Sequence, residues 1–156
     1  MKQLLIELRE KNELEHQLED ILKERDTGKY SHILLHIYSG LEDAQWTEET
    51  AKALRNLIPE AGIVGTMSAG EIMSGHVINK GVLIGALFFE STKAEVVRFD
   101  SVKGNEGETG KKIREYLDGI PDIKAAEFIL PGTELETKAL FDEISGCNRD
   151  ILIFGG

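Results

Sequence analysis

The sequence predicts a mixed α/β domain: a mixed sheet of about six strands with three packed helices, preceded by a long N-terminal amphipathic helix. Two observations predict it. Short, β-prone apolar runs alternate along the chain with stretches whose apolar residues recur every three or four positions, and the first 26 residues show only the second kind of period. A length of 156 residues suffices for one ordinary core, and 41% hydrophobic with 29% charged residues is a globular composition.

The N-terminal stretch has no Gly or Pro before Gly28, and Leu4, Leu8, Leu14, Leu18, Ile21 and Leu22 form one apolar stripe among charged residues. Residues 1–28 are therefore expected to be a coiled-coil-like helix that docks on the body or forms a homodimer through residues 1–26. Residues 29–156 form the domain proper. His32 to Tyr38 is a compact apolar run suited to a buried strand. Thr47 offers a hydroxyl cap to a helix with Ala51, Leu54, Leu57 and Ile58 on its inner face, and Pro59 stops it. Ala61 to Gly65 is a short strand, residues 82–90 are a long core strand, and Ala94 to Phe99 reads as its antiparallel neighbour. Asn105 and Glu108 read as a capping pair for a helix through Ile113, Tyr116 and Leu117. Glu127 to Leu130 is a strand, Thr133-Glu134-Leu135-Glu136 a capping box before a helix with Leu135, Ala139, Leu140 and Ile144 inside, and Ile151 to Phe154 a last strand. An apolar strand running into Gly155-Gly156 reads as a truncated end, so a fragment of a longer protein is expected.

Composition narrows the partners. The net charge is −10, and residues 31–156 carry 12 basic against 20 acidic side chains, a field that repels phosphate backbones and anionic lipid. No nucleic-acid partner is expected. No run approaches the ~18 apolar residues of a membrane-spanning helix, and the N-terminus lacks a secretory layout, so membrane insertion is not expected and the location is cytoplasmic. Cys147 is the only cysteine, which excludes an intrachain disulfide. His32 and His36, four apart on a strand, lie about 13 Å from each other and cannot chelate one ion. The acidic run Glu42, Asp43, Glu48 and Glu49 lacks the alternating spacing of a calcium loop. Neither metal nor cofactor is expected.

The segment that points to chemistry is Gly65-Thr66-Met67-Ser68-Ala69-Gly70-Glu71-Ile72, directly after a short strand. Its glycines permit a sharp turn and close backbone approach to a ligand, while Thr66, Ser68 and Glu71 supply donors and acceptors. The carboxyl end of a strand is also where α/β sheets bind small molecules. By composition alone, a glycine-rich connection with capping hydroxyls explains it as well.

Residues Ile63 to Ile72 resemble the signature of the FIST N-terminal domain, typically a small apolar pair followed by G-C-S/T-T-A-G-E-I. Leu57-Ile58-Pro59-Glu60-Ala61 before the motif, the long strand Gly81 to Phe89 after it, Phe128-Ile129-Leu130-Pro131-Gly132 and Ile153-Phe154-Gly155-Gly156 are similar to further landmarks of that family. The likeness covers about residues 31–156. Two departures stand out: Thr66 occupies the place of the usual cysteine, which removes any thiol chemistry, and the A-G-D that would follow Gly156 is absent. The resemblance implies a sensory input domain that binds a small polar metabolite such as an amino acid. It further implies a C-terminal output domain, such as a diguanylate cyclase or kinase. Carried over by position, Thr66, Ser68, Ala69, Gly70 and Glu71 match one motif, and Gly155 and Gly156 the other. Two alternatives stand beside this expectation. One is an acyl-transfer enzyme or hydrolase using Ser68 or Thr66 with His76 as base and Glu71 as its orienter, although no G-x-S-x-G elbow is present. The other is a scaffold that dimerises without a ligand.

Overall fold

A computed structural model describes residues 1–10, 13–40, 44–78, 80–100, 103–132, 135–148 and 150–156. The elements run β1 (Lys2–Leu8), α1 (Leu14–Gln17), α2 (Glu19–Arg25), β2 (His32–Ser39), α3 (Ala44–Leu57), β3 (Gly62–Met67), β4 (Glu71–Met73), β5 (His76–Ile78), β6 (Val82–Phe89), α4 (Glu106–Gly119), β7 (Ala125–Phe128), α5 (Thr137–Ile144) and β8 (Leu152–Gly155).

The long N-terminal helix is not found; its first part is strand β1. Leu4, Ile6 and Leu8 sit two apart and share one strand face, and the step of four from Leu4 to Leu8 satisfies both periods. Among the described residues the first α-helix begins at Leu14. Leu18 and Ile21 are buried in the core, with Leu14 and Leu22 packed against it, so the chain itself covers this half of the stripe. Arg25 Nη1 donates to the Leu57 carbonyl at 2.7 Å, tying α2 to the carbonyl end of α3.

The main sheet has four strands in the order β1-β6-β2-β3, with β6 antiparallel to both neighbours and β2 parallel to β3. The expected six-stranded sheet is not found. Residues 94–99 add no strand beside β6, because β1 and β2 already take both of its hydrogen-bonding edges. Val96 instead packs against Gly62, and Phe99 meets Tyr116 edge-on at 5.7 Å. One face of the sheet presents Ile6, Leu8, Ile33, Leu35, Ile37, Ile84, Ala86 and Phe88 to a core completed by Leu54 and Ile58 of the α3 region. The β2–α3–β3 connection is a parallel crossover unit of the usual kind. α3 begins at Ala44, so Thr47 lies inside the helix and is not its cap, while Trp46 packs on the core.

The chain divides into two compact units, Met1–Val96 and Val97–Gly156. In the second, Ile113 and Leu117 of α4 meet Leu140 and Ile144 of α5 in a separate core, and β7 pairs in parallel with β8. The Asn105–Glu108 capping pair is not formed. Asn105 occupies the cap position without a side-chain bond, and Glu108 pairs with Lys111 at 2.8 Å. The buried Glu106 carboxylate instead accepts from the backbone N–H of Gly104 at 2.8 Å and of Glu136 at 3.3 Å. Thr133 and Glu134 of the expected capping box lie outside the described residues, as do Glu42 and Asp43.

Candidate functional site

β3 continues through Met67, so the glycine motif starts as a strand and turns only at Ser68. Strand alternation divides it between two faces. Gly65 and Met67 lie in register with Ile37 and Ser39 on the face that carries α3, whereas Thr66 pairs with Tyr38 on the opposite face, where His36 stacks on Tyr38 at 5.9 Å. A Cβ at Gly65 would lie 2.7 Å from the Ile37 carbonyl oxygen, so glycine there is demanded by strand approach. The turn satisfies itself: Ser68 N–H donates to the Ser39 carbonyl at 2.8 Å, Ser68 Oγ donates to the Glu71 carboxylate, and Gly70 N–H donates to Ser68 Oγ at 3.1 Å. Gly70 has a φ of 150°, which favours glycine. Ala69 is exposed. Beyond the turn, β4 and β5 form a hairpin, and His76 opens β5. Its Nε2 lies 3.3 Å from Glu7 Oε2. The Arg9 guanidinium on the other oxygen, followed by His76, holds the Glu7 carboxyl below its ordinary range.

On the α3 face, next to Gly65, Thr66 and Met67, a cleft of about 330 Å³ opens between β3 and the helix. Ile37 and Ile63 give it an apolar wall, and Thr47, Glu48, Ala51 and Arg55 line it from α3. Thr47 Oγ1 is shielded from solvent with no hydrogen-bond partner among the described residues. Glu48 is engaged by Lys52 at 3.3 Å. Arg55 has no hydrogen bond or ion pair among the described residues. The cleft therefore has an apolar wall and a cation on its α3 side, while the Thr47 oxygen itself is closed to solvent.

The sequence model of the FIST N domain matches residues 33–156. The chain belongs to the FIST N family. No curated protein and no solved structure matches it. FIST N is a sensory, signal-transduction family, and no helix among the described residues is long and apolar enough to cross a membrane.

Within this FIST N domain the motif positions separate. Thr66 borders the cleft along β3 although its strand position belongs to the opposite face, Ser68 and Glu71 bond to each other in the turn beyond it, and Gly155 and Gly156 belong to the second unit. There the pair continues the β7–β8 ladder: Gly156 N–H donates to the Phe128 carbonyl and Leu130 N–H to the Gly156 carbonyl, both at 3.0 Å. Sequence reasoning assigned Thr47 to a cap and Ala51 to the core, and passed over Arg55. A signal was present, because positions 47, 51 and 55 fall at four-residue steps and place an arginine in line with the row's Thr47 and Ala51.

Proposed function

We propose that this FIST N chain is a ligand-sensing input domain that binds a small polar metabolite in the α3–β3 cleft and regulates an attached output module. The observation that carries the reading is the cleft itself, which lies beside the family motif, between α3 and β3, and reaches the carboxyl end of β3 at Met67. A ligand there touches both α3 and the end of β3, and β3 leads through the Ser68–Glu71 turn to the hairpin held to Glu7 by His76. Binding that favours one arrangement of this turn by ~2–3 kcal/mol is enough to switch a signalling equilibrium.

Binding is favoured over acyl transfer because the components of a nucleophilic site have other partners. Ser68 donates to Glu71, and His76 faces Glu7. The test is native mass spectrometry of the purified chain, followed by calorimetry with whatever it retains. A retained small molecule, lost on filling the cleft by Ala51→Phe, supports the reading. Fluorophosphonate labelling of Ser68 or Thr66 that disappears in His76→Ala would favour the enzyme instead.

A further inference from the structure

Resting on that reading, we infer that the cleft takes a small monoanionic carboxylate with a short aliphatic body, preferring 2-hydroxy and 2-oxo acids to α-amino acids. Arg55 would hold the carboxylate, and the Thr47 hydroxyl the oxygen on the adjacent carbon. Charge is the first argument. The chain carries −10, yet the charged groups lining the cleft among the described residues are Arg55 and Glu48, and Glu48 is paired with Lys52 at 3.3 Å. Arg55 is left as an uncompensated cation among the described lining residues. An anion is attracted to that guanidinium, and its planar fork matches a carboxylate with two parallel hydrogen bonds.

Geometry is the second argument. Thr47, Ala51 and Arg55 lie on one row of α3 and all line the cleft, and helical side chains in general lean towards the N-terminus, the direction from Arg55 to Thr47. The methyl of Ala51 leaves space between the two polar groups, and Ile37 and Ile63 give that space an apolar wall. At about 330 Å³ the cleft is at the small end of ligand sites, which suits a short aliphatic body. Thr47 Oγ1 has lost its water without gaining a partner, a deficit that a ligand oxygen would remove once the hydroxyl turns about χ1 into the cleft. An ammonium at the same carbon has no uncommitted carboxylate among the described lining residues to receive it.

The experiment is calorimetric titration of the full chain with 2-hydroxyisobutyrate, isobutyrate, valine and the neutral isostere isobutyramide. The hydroxy acid should bind about tenfold or more tightly than the amide, and more tightly than valine. Arg55→Gln should weaken the acids about tenfold or more, with Arg55→Lys recovering part of the loss. Thr47→Val should reduce 2-hydroxyisobutyrate to the level of isobutyrate while leaving the unliganded thermal midpoint equal or higher, because the deleted hydroxyl had no partner. A Thr47→Val midpoint that falls would mean the hydroxyl is structural and would overturn its assigned role. Equal affinity for acid and amide, or acid binding that survives Arg55→Gln and Ala51→Phe, overturns the inference. A neutral or cationic metabolite retained by the protein and excluded by Ala51→Phe also overturns it while leaving the sensory reading standing. Failure to retain or bind any small molecule overturns both.

Discussion

Thr50 places a hydroxyl in the core of the first unit, 1% exposed and with no partner among the described residues. A buried unpaired hydroxyl opposes folding, and valine has nearly the same shape without it. Thr50→Val should therefore stabilise the protein by about 1 kcal/mol, read as a higher urea midpoint at unchanged slope. Glu106 is the opposite case, a buried carboxylate satisfied by backbone donors. Its own N–H first and the Glu136 N–H next hold its carboxyl below the ordinary value of 4.5. A carboxyl depressed in the folded state contributes stability that is complete above its unfolded pKa and disappears as pH falls through the folded value. Glu106→Gln should lower the thermal midpoint at pH 7 and flatten its decline below about pH 4.5, a difference visible in melting curves across that range. Neither property is legible in the sequence, where Thr50 is one more polar residue of an amphipathic helix and Glu106 one of 28 acidic side chains.

At the level of elements, β1 gives the most discriminating test. Leu8 is fully buried and Leu5 is 50% exposed, as a strand face requires. Leu8→Ala should cost about 2–5 kcal/mol and Leu5→Ala less than about 0.5 kcal/mol in chemical denaturation. Removing residues 1–9 uncovers the edge of β6 and should produce concentration-dependent association in light scattering. β8 offers a second test. Gly155 has a φ of 106°, and a Cβ there would lie 2.0 Å from the Phe128 carbonyl oxygen, whereas Gly156 faces open space. Gly155→Ala should break the β7–β8 ladder and cost more than about 3 kcal/mol, while Gly156→Ala should be tolerated. Amide hydrogen exchange at Leu152 to Phe154 would report the difference.

At the level of the molecule, the two units have separate cores, the first around Leu35, Ile84 and Phe88 and the second around Ile113, Leu140 and Ile144. Leu140→Ala should cost the second unit about 2–5 kcal/mol, and the lost hydrogen-exchange protection should be confined to residues 97–156. Loss of protection that spreads equally through β2 and β6 would show that the units unfold as one.

The sequence by itself determined the elements with a single consistent period: β2, β6, α3, α4, α5 and the last strand all occupy their expected places, because each carries an uninterrupted apolar run or a three-and-four stripe. It also carried the family, through landmarks spaced over residues 33–156. Only the tertiary structure decided between strand and helix for residues 2–8, where a step of four serves both periods and the open edge of β6 settles the matter. Pairing excluded residues 94–99 from the sheet for the converse reason, since β6 had no edge left to offer. The cleft was equally beyond the sequence. Thr47 and Arg55 come from one helix and Gly65 to Met67 from the strand after it, and their meeting depends on the parallel register of β3 against β2. Local pattern specifies which face a side chain takes, and only the packed sheet specifies what that face meets.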